Sequence, residues 1–250
     1  MDLIKTKDFD LATHTRGNSS SPYLALVLPG RLDTKDYPHM LSHVEYLAKR
    51  GYFALSFDPP GTWESPGSIQ LYTMTNYLKA INELIEYFGN KPTFIMGHSR
   101  GGSMAMLAGI GNPYITSFAS VMSTYSYKPE VHGGYPDEQW EKDGYKIHKR
   151  DIPGKTNEFV EFRLPYTFLE DQIQYDMLAG LKESKKPKLF ILGQHDKTVL
   201  PGIVKTAYDA ASDPKVLGMI NSDHSYGVNN SLIKEVNDII GGGFLDEYDK

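Results

Sequence analysis

Hydrophobic and polar positions along this 250-residue chain alternate between two periods. YLALVLPG (23–30), YFALSF (52–57), TFIMG (93–97), SFASVM (117–122), KLFILG (188–193) and VLGMI (216–220) are short, nearly continuous apolar runs. Runs of this length predict strands buried on both faces, and Pro29-Gly30 and the DPPG after Phe57 predict sharp turns at two of their ends. Between the runs the spacing changes to threes and fours. Met40, Leu41, Val44 and Leu47 fall at helical spacing within residues 36–50, and Gly51 follows as a C-terminal stop. Leu71, Met74, Leu78, Ile81, Leu84, Ile85 and Phe88 repeat the pattern over 70–88, ended by Gly89-Asn90. SMAMLAGI (103–110), the stretch after Pro201 and residues 229–240 read as further helices. Residues 7–15 read as an edge strand, joined on by the polar loop RGNSSS.

Strand and helix in alternation imply an α/β architecture: a mostly parallel central sheet with helices on both faces. The rhythm breaks from 123 to about 180, where Tyr, Pro, Gly and charged residues crowd together without a clear buried strand. This block reads as an insertion over one end of the sheet, within a single domain of residues 1–250. No internal repeat or flexible interdomain linker is visible.

Composition narrows the class. A net charge of −5 argues against a nucleic-acid partner, which needs clustered Lys and Arg. The densest basic run, Lys182, Lys185, Lys186 and Lys188, reads as a solvated helix end. With no cysteine, disulfides, thiolate chemistry and Cys-ligated zinc are excluded. The opening MDLIKTKDFD lacks the apolar region of a signal peptide. No run approaches the roughly 20 apolar residues of a membrane span. The expectation is a cytoplasmic protein that acts on a small molecule.

In open parallel sheets ligands bind at the carboxyl ends of the strands. The third strand delivers GHSRGG there, with Ser99 between Gly97 and Gly101 at a strand-to-helix turn. Small flanking residues let the chain pass close by, and the helix N-terminus offers outward N–H groups to an anion. Ser99 is therefore a candidate nucleophile; the alternative is a helix N-cap. A serine hydroxyl needs a base. His224, in NSDHSYG, follows the strand VLGMI; His195, directly after KLFILG, competes with it. His98 points the other way along the turn and reads as structural, while His14, His39, His43, His132 and His148 mostly read as surface residues. The base in turn needs a carboxylate. Asp196, in LGQHDKTV, reaches the same end of the sheet; Asp223 is too near His224 in sequence, and Asp176 competes from the insertion. An oxyanion hole needs two N–H groups. Arg100 supplies one, and the turn after Gly30 supplies another from Arg31 or Leu32, with Arg31 favoured; the alternative is that Pro29-Gly30 is only a turn.

At this point the sequence resembles the α/β-hydrolase superfamily. LVLPGRLD resembles its oxyanion strand, FDPPGTWESPG the loop after the next strand, GHSRGG the elbow, LFILGQHDKTV the acid strand and SDHSYG the histidine loop. The matches cover residues 23–122 and about 185–240. Within the superfamily the chain is similar to esterases and acyl-peptidase relatives with a small cap. The resemblance implies an α/β-hydrolase fold and a serine hydrolase using Ser99, Asp196 and His224 through an acyl-enzyme, without metal or organic cofactor. Many relatives begin the oxyanion turn with His-Gly, and here it is Pro29-Gly30. The departure touches the identity of the donor and not the mechanism, since the donor is backbone.

The insertion, 123–180, would then cap Ser99. Its aromatic residues Tyr125, Tyr127, Tyr135, Trp140, Tyr145, Phe159, Phe162, Tyr166 and Phe168 either line an apolar acyl or aryl pocket or form the cap's own small core. Trp63, Trp140 and Tyr226 are the candidate substrate contacts, and the Arg31 side chain could pair with a substrate carboxylate. The leading expectation is hydrolysis of a carboxylic ester with a small or medium acyl or aryl group. The same triad serves thioester, amide or carbon–carbon hydrolysis, and a non-catalytic small-molecule binder is the rival from another class.

Overall fold

The computed structural model describes residues 2–132 and 138–248, with the side chain of His132 outside the described set. Its main sheet has eight strands: β1 (Asp2–Lys5), β2 (Asp10–Arg16), β3 (Leu24–Leu28), β4 (Phe53–Phe57), β5 (Thr93–His98), β6 (Ile115–Val121) and, beyond the insertion, two more. The helices between them are α1 (Pro38–Lys49), α2 (Met74–Tyr87) and α3 (Arg100–Gly111). The insertion contributes α4 (Pro129–His132), α5 (Glu138–Asp143), a hairpin of β7 (Tyr145–Asp151) and β8 (Phe159–Pro165), then α6 (Thr167–Gln172) and α7 (Leu178–Glu183). The chain returns to the sheet as β9 (Lys188–Gly193), α8 (Pro201–Ala210), β10 (Lys215–Ile220) and α9 (Asn230–Ile240).

Strand order is β1-β2-β4-β3-β5-β6-β9-β10. β1 and β2 run antiparallel at one side; every other adjacent pair beyond β2·β4 is parallel. β3, β4, β5 and β9 are buried along their whole length, because helices cover both faces. Met40, Val44 and Leu47 of α1 meet Ile233, Val236 and Ile240 of α9 in the core on one face. Met74, Ile81 and Leu84 of α2, Met104 of α3 and Val204 of α8 fill the other. A third cluster lies at the strand ends, where Trp140, Phe162, Leu164 and Phe168 of the insertion pack on Leu32 and Tyr72.

Four details differ from the sequence reading. β2 is not the edge, because the four-residue β1 pairs outside it. The 70–88 helix divides: a short 3₁₀ turn over Ile69–Leu71 precedes α2, whose N-cap Thr73 accepts the Asn76 N–H at 3.0 Å. The insertion holds the β7–β8 hairpin, in which only Phe162 and Leu164 are buried. Lys188 does not solvate a helix end; it is buried at the start of β9, its Nζ donating to the carbonyls of Ser184 at 2.9 Å and Ser212 at 2.8 Å. Among the described residues no helix is long and apolar enough to cross a membrane.

Candidate active site

Ser99 stands between the last residue of β5 and the first of α3, with φ +53° and ψ −121°. A non-glycine residue holds this conformation only where its surroundings impose it. Here they do so by close approach. A Cβ on Gly97 would lie 2.3 Å from the Gly101 carbonyl carbon, and one on Gly101 would lie 2.0 Å from the Leu28 carbonyl oxygen. The Ser99 N–H donates to the Val121 carbonyl at 2.9 Å, which ties the turn to the neighbouring strand. The Ser99 hydroxyl makes no cap hydrogen bond to α3. It meets His224 Nε2 at 3.0 Å instead.

His224 follows β10, and its Nδ1 lies 2.7 Å from Asp196 Oδ2. A carboxylate only accepts, so it holds the proton on Nδ1 and leaves the Nε2 lone pair facing the serine. Asp196 is buried, and its other oxygen accepts the Thr198 and Val199 N–H groups at 2.8 and 2.9 Å. Those two bonds fix the carboxylate plane. The rival residues are engaged elsewhere. His195 Nε2 meets Asn221 Oδ1 at 2.7 Å, Asp223 accepts the Ser225 N–H at 2.8 Å, and Asp176 pairs with Lys128 at 3.2 Å.

Leu32, in the turn after β3, has φ +58° and donates its N–H to the Tyr72 hydroxyl at 2.9 Å. That leaves Arg31 as the other backbone donor weighed for this turn. Arg100, the first residue of α3, has an N–H without an acceptor in its own helix. The turn is also tied to the insertion, since Arg150 of β7 donates to the Arg31 carbonyl.

Ser99 and His224 open on a pocket of about 460 Å³. Its wall mixes polar and apolar groups; the polar ones include Arg31, Asp33 and Arg100 from the sheet side and Thr124, Arg150 and Gln172 from the insertion. Tyr127, Val199 and Val228 are among its apolar contributors. A family model described as the alpha/beta hydrolase fold matches residues 25–170, more than half the chain.

The chain belongs to the α/β-hydrolase fold family. It is 19% identical over 201 residues to the mitochondrial palmitoyl-protein thioesterase ABHD10 of Rattus norvegicus, covering 80% of this chain and 67% of that protein. The solved structure of alpha/beta hydrolase domain-containing protein 10 from mouse superposes with a TM-score of 0.75 at 18% identity, over 98% of both chains. Est1E from Butyrivibrio proteoclasticus with ferulic acid bound gives a TM-score of 0.77 at 17% identity, over 100% of both. At these identities the structural likeness is one of fold.

In this α/β hydrolase none of the three expected substrate contacts lines the pocket beside Ser99. Trp63 donates its indole N–H to the Leu32 carbonyl at 2.9 Å and packs edge-on against Phe162 and Tyr37, so it backs the pocket wall without forming it. Trp140 is buried in the insertion's own core, its N–H on the Leu164 carbonyl at 3.1 Å. Tyr226 is fully buried, with its hydroxyl 2.9 Å from His43 Nε2. Each ring's polar atom has an internal partner, and that partner turns it away from the cavity. Phe162 and Phe168 share the insertion core with Trp140, whereas Tyr127 lines the pocket; Tyr135 lies outside the described residues.

His39 and His43 are not surface residues. Both lie on the buried stripe of α1 with Met40, Val44 and Leu47. Burial pushes His39 down to about 3 and His43 to about 4. His98, whose ring centroid lies 4.7 Å from that of His224, is also pushed well down by burial. These rings are therefore neutral near pH 7 and add no positive charge beside His224. Asp33, His39 and His98 bring one possible ligand atom each within 4.8 Å of one another, the group of metal-ligand composition among the described residues. Burial raises the Asp33 carboxyl above its usual range, against the Arg150 guanidinium 3.8 Å away.

Proposed function

We propose that this α/β hydrolase cleaves a carboxylic ester with a small or medium acyl or aryl group through an acyl-enzyme. One observation carries the reading: the unbroken hydrogen-bond chain from Asp196 through His224 to Ser99, opening on a pocket. Ser99 Oγ attacks the ester carbonyl carbon as its proton passes to His224 Nε2. The carbonyl electron pair moves onto oxygen, which faces the Arg31 and Arg100 N–H groups. When that pair returns, the carbon–oxygen bond to the alcohol breaks, and His224 gives its proton to the leaving oxygen. Water then enters, His224 takes its proton, and the same steps release the acid and restore Ser99. Asp196 orients His224 and stabilises its charged form. The insertion, 123–180, acts as a cap, contributing Thr124, Tyr127, Arg150 and Gln172 to the wall.

The test is turnover of p-nitrophenyl acetate by wild-type protein and by Ser99→Ala. Loss of activity in the variant supports the reading, and equal activity in the two sinks it. A second reading, thioester hydrolysis, is favoured by the likeness to a palmitoyl-protein thioesterase over 80% of the chain. Matched ester and thioester substrates separate the two by relative kcat/KM.

A further inference from the structure

Arg100 is only 3% exposed, yet it lines the pocket beside Ser99. The guanidinium carbon lies 4.2, 4.9 and 5.9 Å from the ring centroids of Phe168, Tyr127 and Tyr72. Among the described residues no carboxylate lies within ion-pair distance of it. Its Nη2 donates to Gln172 Oε1. Arginine has donors only, so this bond also decides the orientation of the amide: Gln172 turns its NH₂ away from Arg100. Gln172 is 1% exposed and lines the same pocket. Arg100 Nε and Gln172 Nε2 are both buried and have no hydrogen-bond partner among the described residues. The neighbouring hydroxyls are already used, Thr124 donating to the Ser126 carbonyl at 2.7 Å and Tyr127 to Ser103 Oγ at 3.2 Å.

Arg100 and Gln172 therefore bring to the pocket wall one positive charge without a carboxylate partner and unfilled N–H donors. Burying a cation without a counter-charge is costly, and aromatic rings offset only part of that cost. An anion with acceptor oxygens would satisfy both. The leaving group must meet His224 Nε2, and His224, Ser225 and Val228 line one pocket with Arg100, Thr124, Tyr127 and Gln172. With the leaving oxygen at His224, the latter four residues remain for the acyl group.

We propose that Arg100 and Gln172 form a carboxylate subsite, and that the substrate is a monoester of a short dicarboxylic acid, cleaved at its ester end while the free carboxylate is held. This rests on the ester-hydrolase reading for its reaction but not for its binding, and the test separates them. Monoethyl glutarate and ethyl pentanoate have the same acyl length and differ in a terminal carboxylate against a methyl group. Wild-type protein is expected to favour monoethyl glutarate by tenfold or more in kcat/KM. Arg100→Met is expected to lower that preference at least tenfold, mainly through KM. Gln172→Leu, which keeps the charge, is expected to lower it less and stands in should Arg100→Met fail to fold. Calorimetry with glutarate and pentanoate needs no turnover, and glutarate is expected to bind wild-type protein at least tenfold more tightly. If neither ester is cleaved but glutarate binds and Arg100→Met loses it, the subsite stands and the esterase reading falls. If the two esters are cleaved equally well, or glutarate binds no better than pentanoate, the subsite is overturned.

Discussion

Leu32 donates its backbone N–H to the buried Tyr72 hydroxyl at 2.9 Å while holding φ at +58°. The bond pins the turn that carries Arg31, and so the direction of the Arg31 N–H, to a side chain forty residues further along the chain. Tyr72 is itself held by the insertion, stacked on Phe168 at 5.5 Å. Tyr72→Phe keeps the packing and removes the acceptor. Stranding a buried N–H costs about 1–3 kcal/mol of stability. If the Arg31 N–H serves the oxyanion as proposed and drifts as a result, kcat falls while KM changes little, the pattern of an interaction made chiefly in the transition state. Chemical denaturation and steady-state kinetics on the purified variant measure both.

Asp196 uses one oxygen for His224 and the other for the Thr198 and Val199 N–H groups. Asp196→Asn can keep the backbone bonds through its remaining oxygen and then presents an NH₂ to His224 Nδ1. The ring must move its proton to Nε2, which removes the lone pair that Ser99 needs. On the proposed mechanism kcat falls by about 10³–10⁴ with little loss of stability. Comparable kcat in Asp196→Asn would mean that the carboxylate does not orient the base.

Gly101 packs against the end of β3, and a Cβ there would sit 2.0 Å from the Leu28 oxygen. Both partners are backbone, so neither can rotate away. Gly101→Ala is expected to destabilise the fold by about 1–3 kcal/mol or more and to displace Ser99. The conservative control is Gly111→Ala at the other end of α3, where a Cβ meets nothing within 4 Å. Thermal unfolding of the two variants compares them directly.

What could be read from the chain followed from how much each element depends on its own residues. β3, β5 and β9 are buried throughout and mostly apolar because helices cover both faces, and that marks them in the sequence. β1 is DLIK, four residues with a charge at each end, too short for any period to register. The β7–β8 hairpin carries Lys146, Lys149 and Arg150 on one strand and buries only Phe162 and Leu164 of the other, so its strands resemble loop. Ser99, Asp196 and His224 could be singled out because each lies within four residues of the carboxyl end of a strand, and the structure brings them into one hydrogen-bond chain. Arg150 and Gln172 reach the pocket only through the tertiary path of the insertion, which leaves no local signal. His39 and His43 did leave one: they are four residues apart on the apolar stripe of α1, and their polarity obscured it.

Those buried histidines make stability depend on pH. Their ordinary value is 6.5, and burial lowers His39 to about 3 and His43 to about 4 and pushes His98 well down as well. Below pH 6.5 the unfolded chain takes up protons that the folded protein refuses, so the unfolded state is favoured as pH falls. The stabilisation is fully present above that pH and is lost progressively on the way down to about 4 for His43 and about 3 for His39. Each ring contributes a loss of roughly 1 kcal/mol by about pH 5.5. Denaturation midpoints at neutral and mildly acid pH should show the decline, and ring resonances of His39 and His43 should stay in the neutral form through the same range.

The central claim is that Ser99 is a nucleophile activated by His224, and covalent trapping reads it without assuming a substrate. A fluorophosphonate probe followed by peptide mass spectrometry should place a single adduct on Ser99, absent in Ser99→Ala and formed far more slowly in His224→Ala. An unlabelled Ser99 in folded protein, or labelling of equal rate in His224→Ala, would contradict the account.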